Sequence, residues 1–320
     1  MSELWLAAAL AVAALAASWV ATGQVLVWLD RRQIVDVPNH RSSHARPTPR
    51  GGGIGLLGGA LPALLIFALA TMAPFPWFPL IVTAVLLALI SWRDDRGHVP
   101  ARWRLLAQAL AVATGLAVLG DGLVFQGLLP RWLDLIAAAL AWIWFVNLTN
   151  FMDGIDGITG VEAASLGIGL ALLGAPAAPA LILAAAALGF LRWNWHPARL
   201  FMGDVGSVPL GYLLGALLLM LAKNGHWAAA LILPGYYLAD ATWTLLRRLI
   251  QRRRVWEAHR EHFYQQAVQR GWSHARVATT IGIVNAGLIL LALLSVDHPW
   301  SALAGAAFLV GATMVRFARA

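Results

Sequence analysis

The chain has 320 residues, 60% of them apolar and only 12% charged, with a mean hydropathy of +0.71. That balance excludes an ordinary soluble domain and describes an integral membrane protein. Cysteine is absent, which removes disulfides, thiolate nucleophiles and sulfur-built zinc sites. The net charge of +8 falls in short segments between apolar runs, a pattern that serves membrane orientation rather than nucleic-acid binding.

Apolar runs long enough to span a bilayer fall near 3–29, 53–73, 75–92, 103–120, 132–148, 158–174, 177–193, 205–222, 226–246, 275–294 and 299–316. The sequence therefore predicts an all-α polytopic membrane protein of about eleven helices, a single domain over 1–320. The first run lacks a basic leader and exceeds the usual length of a signal peptide's apolar region, so it is expected to remain as a helix. Of the 23 Lys and Arg residues, all but Arg131 and Lys223 lie in the odd-numbered loops or the C-terminal tail. By the positive-inside rule the odd loops and the C-terminus are cytoplasmic and the N-terminus is outside.

Acidic residues concentrate on the same face, in loops near 30–52, 93–102, 149–157, 194–204 and 247–274. The first of these loops contains HARPTPRGGG, whose Arg50 and glycine run offer a guanidinium and backbone N–H groups to phosphate, or alternatively a bend before a helix. After the third run stand the adjacent Asp94 and Asp95, which repel each other unless a cation lies between them. After the fifth comes NLTNFMDGIDG, residues 147–157. Its Asn147, Asn150, Asp153 and Asp156 recur every three residues and drift about 60° per step around a straight helix. They converge only where the helix breaks, which Gly154 and Gly157 permit. Hard oxygen donors beside glycines suit magnesium bridging a diphosphate. FMGDVGS, with Asp204, opens the eighth run.

Within the ninth run, Asp240 in YYLADATWTLL costs roughly 2.5–3.5 kcal/mol if ionised at mid-bilayer, so it faces protein. Two roles stand open for it: an ion pair with Arg247 or Arg248, or a place at the floor of a site. The following loop carries HREH, residues 259–262, among many arginines that also attract anionic lipid.

Taken together and in this order, HARPTPRGGG, Asp94-Asp95, NLTNFMDGIDG, FMGDVGS and HREH resemble the polyprenyl-phosphate N-acetylhexosamine-1-phosphate transferases. This family includes the enterobacterial-antigen GlcNAc-1-phosphate transferase and the phospho-MurNAc-pentapeptide translocase. The resemblance implies a magnesium-dependent enzyme of the bacterial inner membrane, with manganese able to substitute and the active site facing the cytoplasm. A UDP-activated amino sugar gives its sugar-1-phosphate to undecaprenyl phosphate, with release of UMP.

By the same resemblance Asp94, Asp95, Asp156 and His262 are expected to be catalytic, with Asp94 orienting or deprotonating the lipid phosphate. Arg50, Arg102, Asn150, Asp153, His259 and Arg260 are expected to bind substrate, and Asp204, Asp156 and Asp95 to hold the metal. Where enterobacterial relatives continue with further histidines, Phe263-Tyr264-Gln265 follows His262 here, and that ending points toward an O-antigen initiating enzyme. Direct attack on the β-phosphorus is the preferred route and a covalent intermediate on Asp94 the rival. A homodimer is possible through the Gly55/Gly59 spacing, whose commoner use is packing within a chain. A secondary transporter is the alternative from another class, although such sites lie near the midplane.

Overall fold

A computed structural model describes residues 3–38, 46–72, 74–97, 99–254 and 259–320. Residues 39–45 of the first loop and 255–258 of the ninth, on which part of the phosphate-loop and histidine-loop readings fall, lie outside them. The helices are α1 (Glu3–Arg31), α2 (Gly53–Ala70), α3 (Pro74–Arg96), α4 (Ala101–Val118), α5 (Arg131–Phe151), α6 (Ile158–Leu172) and α7 (Ala177–Asn194). They continue with α8 (Asp204–Lys223), α9 (Trp227–Ile232), α10 (Gly235–Ile250), α11 (Phe263–Gln269), α12 (His274–Leu294) and α13 (Pro299–Arg319). One short antiparallel ladder pairs β1 (Val35–Asp36) with β2 (Thr48–Pro49), Val35 opposite Pro49.

Among the described residues eight helices, α1, α2, α3, α5, α7, α8, α12 and α13, are long and apolar enough to cross a membrane. The chain is thus an all-α multi-pass membrane protein. Three of the eleven apolar runs take other forms. Arg102, Arg104 and Gln108 make α4 less apolar, and α6 has 15 residues, about 22 Å against a hydrocarbon core of about 30 Å. The run 226–246 breaks into α9 and α10 at Pro234, which has no N–H to continue the ladder. Along α10 the polar Asp240, Thr244 and Arg248 recur every four residues and are buried, while Trp243, Leu246 and Ile250 face outward.

Helix α8 is rich in Leu, Ala and Gly and is buried along almost its whole length, with α2, α3, α5, α6, α7 and α9 around it. A helix apolar on every side belongs at the centre of a bundle. Trp142 of α5 stacks on Tyr212 of α8 with ring centroids 4.9 Å apart, and its indole N–H donates to the Tyr212 carbonyl. The Tyr212 hydroxyl donates to the Ala111 carbonyl of α4. Gly55 and Gly59 pack α2 onto Thr22 and Ser18 of α1, so their spacing serves contact within the chain.

The five loops singled out in the sequence meet at one end of this bundle. At the other end Asp134 accepts from the Val124 and Phe125 N–H groups, Arg131 pairs with Asp121, and Lys223 donates to the Gly120 carbonyl.

Candidate active site

The site begins with backbone. Phe201 N–H donates to the Pro49 carbonyl, and the Gly51 and Gly52 N–H groups donate back to the Phe201 carbonyl at 3.1 and 2.8 Å. The Gly53 N–H donates to the Met202 carbonyl at 2.9 Å. A Cβ on Gly53 would lie 2.2 Å from the Gly206 Cα, so only glycine permits this approach. These three N–H groups are therefore spent on the chain, which corrects the expectation that the glycine run cradles phosphate. What the run achieves is to set Arg50 beside the start of α8.

There Arg50 Nη2 lies 2.7 Å from Asp204 Oδ1 and 2.9 Å from Asp95 Oδ1. The Asp95 carboxylate, 1% exposed, also accepts the Asp204 N–H at 3.0 Å and the Val205 N–H at 2.9 Å. It thus satisfies donors left open at the N-terminus of α8, where helix geometry and dipole both favour an anion. Asp94 accepts the Val99 N–H on Oδ1 at 2.9 Å and Arg104 Nη1 on Oδ2 at 2.5 Å. The same Arg104 nitrogen stands 3.6 Å from Asp204 Oδ2. Burial lowers the Arg50 pKa, but Asp95, Asp204 and Asp36 more than compensate and hold it above the usual arginine value.

Arg102 is expected to bind substrate, but it is Arg104 that the structure turns toward Asp94 and Asp204. Two residues apart on a helix lie about 200° apart, so only one of the pair can face the site. Arg102 is exposed, its guanidinium 5.8 Å from the Trp103 ring centroid.

At the end of α5, Asn150 Nδ2 donates to Ser207 Oγ of FMGDVGS at 2.9 Å, and Asn147 Nδ2 donates to Gln108 Oε1 at 2.7 Å. Asp153 lies within electrostatic reach of Arg50, Asp204 and Asp95. Burial pushes its carboxyl up to about 7, with the Thr159 hydroxyl and Arg50 opposing and Asp204 and Asp95 adding to the rise.

Asp156 departs from the expected set, because its partners are other groups. Its Oδ2 is 2.7 Å from His196 Nδ1 and accepts the Ala198 N–H at 3.0 Å, and its Oδ1 is 3.2 Å from His274 Nδ1. Burial acts to raise this carboxyl, but His274, His196 and the Ala198 N–H together hold it below the ordinary value. Two imidazoles and one carboxylate form a donor set ill suited to magnesium, which prefers oxygen. Asp156 instead ties the α5–α6 loop to the α7–α8 loop and the start of α12. Neither His196 nor His274 was singled out in the sequence. Their only signal was position on the same membrane face as the motifs.

A cleft of about 400 Å³ opens beside this cluster, its polar wall formed by Arg104, Asn147, Asn150, Asp204, His259 and His262. The His259 and His262 ring centroids are 4.9 Å apart. Burial, then His262 and Arg248, push the His259 imidazole down to about 4, so it is neutral at physiological pH. Arg260, expected to contact substrate, lines a separate basic surface basin with Arg247, Arg253 and Arg270. In an extended segment neighbouring side chains point to opposite sides, and His259 and Arg260 do so here. Asp240 pairs with neither Arg247 nor Arg248. Arg248 is paired with Glu261 and donates to the Arg254 carbonyl.

Fold and site together define a membrane enzyme whose carboxylates, arginines and histidines gather from separate loops at one end of the bundle, beside a cleft that Arg104, Asp204, His259 and His262 line. The family model for glycosyl transferase family 4 matches residues 77–222. The chain is 32% identical over 291 residues to the phospho-N-acetylmuramoyl-pentapeptide-transferase of Moorella thermoacetica, covering 77% of this chain and 85% of the relative. It is 28% identical over 269 residues to a probable undecaprenyl-phosphate N-acetylglucosaminyl 1-phosphate transferase of Bacillus subtilis, covering 78% and 74%. It is 29% identical over 311 residues to a decaprenyl-phosphate N-acetylglucosaminephosphotransferase of Mycolicibacterium smegmatis, covering 82% and 76%. The chain belongs to glycosyl transferase family 4, the family of polyprenyl-phosphate N-acetylhexosamine-1-phosphate transferases.

Proposed function

We propose that the protein transfers a sugar-1-phosphate, from a UDP-linked N-acetylhexosamine or 6-deoxy-N-acetylhexosamine, to undecaprenyl phosphate with release of UMP. The product initiates a lipid-linked O-antigen or related envelope polysaccharide. The enzyme works in the bacterial inner membrane, with eleven membrane-crossing segments, the N-terminus outside and the cleft facing the cytoplasm. The observation that carries this reading is the excess of carboxylates in the cluster beside the cleft, which Asp204 and Arg104 join to it. Four carboxylates, Asp94, Asp95, Asp153 and Asp204, stand against two guanidinium groups, Arg50 and Arg104. A cluster of hard oxygens with that imbalance suits a divalent cation.

Magnesium would be held by Asp204, with Asp153 within electrostatic reach of it, because Asp95 already accepts three donors and Asp156 is held by histidines. Bound there, it would neutralise charge on the diphosphate. The chain's own groups do the rest. A lipid phosphate has its second pKa at about 6 in water, but beside the carboxylates of Asp94, Asp95, Asp153 and Asp204 its monoanion is favoured, so attack needs both help against repulsion and a proton acceptor. Arg50 and Arg104 flank Asp204 and supply positive charge where the two phosphates meet. Both Asp94 oxygens are held, one by the Val99 N–H and one by Arg104, which favours an orienting role and direct attack over a covalent intermediate.

An apolar groove of about 540 Å³ offers a place for the polyprenyl tail. It is lined by Phe145 of α5, Gly215 and Leu219 of α8 and Leu238 of α10, and the same three helices line the cleft through Asn150, Asp204 and Leu245. The transporter alternative finds no support in Asp240, whose carboxylate is saturated by donors from the protein.

Purified protein incubated with undecaprenyl phosphate, magnesium and a panel of UDP-sugars is expected to release UMP and form one lipid-linked product. EDTA should abolish turnover, and magnesium or manganese should restore it. No UMP from any donor, or full activity in chelator, overturns the reading.

A further inference from the structure

Asp240 is fully buried in α10, and every donor on its carboxylate can be named. Oδ2 accepts the Tyr236 hydroxyl at 2.8 Å and the Tyr264 N–H at 3.3 Å. Oδ1 accepts the Thr244 hydroxyl at 3.1 Å and the Phe263 N–H at 3.0 Å, and lies 3.2 Å from His262 Nδ1. Among the described residues no arginine or lysine joins this set. An ionised carboxylate so far from water needs several donors converging on it, and it has them. Three of the five come from residues 262–264, so Asp240 anchors the segment that carries the histidine motif.

The contact with His262 has a chemical consequence. An ionised carboxylate only accepts, so the ring nitrogen facing it carries the hydrogen. In the neutral ring Nε2 is then the bare nitrogen, and His262 lines the cleft that also holds Arg104 and Asp204. We propose that Asp240 is a positioning residue that fixes His262 as the Nδ1–H tautomer, so that Nε2 serves as the proton acceptor of the cleft. The proton in question is that of the monoanionic lipid phosphate. Its O–H bond breaks as the Nε2–H bond forms, and the dianion left behind is the attacking species. The Nε2 proton passes afterwards to the phosphate of the departing UMP as the Nε2–H bond breaks, while the Nδ1 hydrogen stays on the ring, facing Asp240, throughout. The roles of His262 and the lipid phosphate rest on the transferase reading, whereas the tautomer rests on the 3.2 Å contact of Nδ1 with Asp240, which competes with the ring's capping contact to the Gln265 N–H.

The test compares wild type, Asp240→Asn, His262→Gln and the double variant in the UMP-release assay. Each single substitution should lower kcat by about 10²- to 10³-fold, the range of a positioned proton acceptor, with the KM for the UDP-sugar changed less than about threefold. The double variant should lie within about threefold of the slower single variant, because removing the histidine leaves Asp240 nothing to act through. If the two effects multiply, or if Asp240→Asn turns over normally, the proposal fails.

A second measurement keeps the question open to refutation if Asp240→Asn does not fold. In wild-type protein with ¹⁵N-labelled histidine, the His262 signals, identified by their loss in His262→Gln, should report a hydrogen on Nδ1. A hydrogen on Nε2 alone overturns the proposal. Absence of UMP release by the wild type defeats the transferase reading and the proton-transfer step while leaving the tautomer result standing, so the two failures are distinguishable.

Discussion

Asp95→Asn separates two readings of one carboxylate, as a metal ligand or as the cap of α8. The side chain is buried and accepts the Asp204 N–H at 3.0 Å, the Val205 N–H at 2.9 Å and Arg50 Nη2 at 2.9 Å. Asparagine keeps one oxygen but places an NH₂ donor against a backbone donor, and it removes the charge that Arg50 faces. Hydrogen bonds to charged groups are worth about 1.5–3 kcal/mol each, and loss of one N-cap costs about 1 kcal/mol. With Arg50 partly solvated and one oxygen retained, a loss of about 2–4 kcal/mol is expected. The assay is denaturant or thermal unfolding of the purified protein in detergent, run in EDTA so that metal binding contributes nothing. Asp204→Asn is the comparison. Its side chain is 16% exposed, its Oδ1 meets the partly solvated Arg50 at 2.7 Å, a contact the asparagine oxygen can keep, and its Oδ2 is held only at 3.6 Å. The variant should therefore lose less stability than Asp95→Asn while turnover falls more than about 100-fold. If Asp95→Asn unfolds like wild type to within about 0.5 kcal/mol, the capping argument is wrong.

Arg104→Met should lower UMP release more than about tenfold, and Arg102→Met should leave it within about twofold, since only Arg104 contacts Asp94 and approaches Asp204. Gly53→Ala places a methyl 2.2 Å from the Gly206 Cα, and a backbone clash of that size should cost about 3 kcal/mol or more in unfolding experiments. The Asp153 carboxyl, raised to about 7 by burial, destabilises the metal-free fold as pH climbs from the ordinary carboxylate range through 7. Folding stability in EDTA should therefore fall between about pH 4 and 7, with Asp95, raised to about 6 by burial, adding to the lower part of the slope, and Asp153→Asn should flatten the upper part, as thermal unfolding across the range will show.

The sequence reads well along the membrane normal and poorly around it. Hydropathy placed the runs 132–148 and 205–222 within three residues of α5 and α8, and charge counting put the acidic loops on one face, because both signals depend on depth. Azimuth carries no such signal. Arg102 and Arg104 are equivalent in composition, and only the phase of α4 after Pro100 distinguishes them. A clue existed in Gln108, one turn beyond Arg104 and polar in an apolar helix, which marks the inward face. The partners of Asp156 lie 40 and 118 residues away and those of Asp240 up to 24, distances over which spacing within a motif says nothing. The glycine run was legible as a phosphate cradle or a bend before a helix, but whether its N–H groups meet a phosphate or a carbonyl depends on Phe201 and Met202, which arrive from another loop.

The meeting of Gly53 with Gly206 has a consequence for how such an enzyme can change. At that joint two main chains touch without any side chain between them, so a single added methyl would wedge Arg50 away from Asp204 and take the electrostatics of the reaction with it. A shift in which sugar is accepted must therefore arise elsewhere, in loops such as the one carrying His259, where a new side chain can enter without prying the scaffold open.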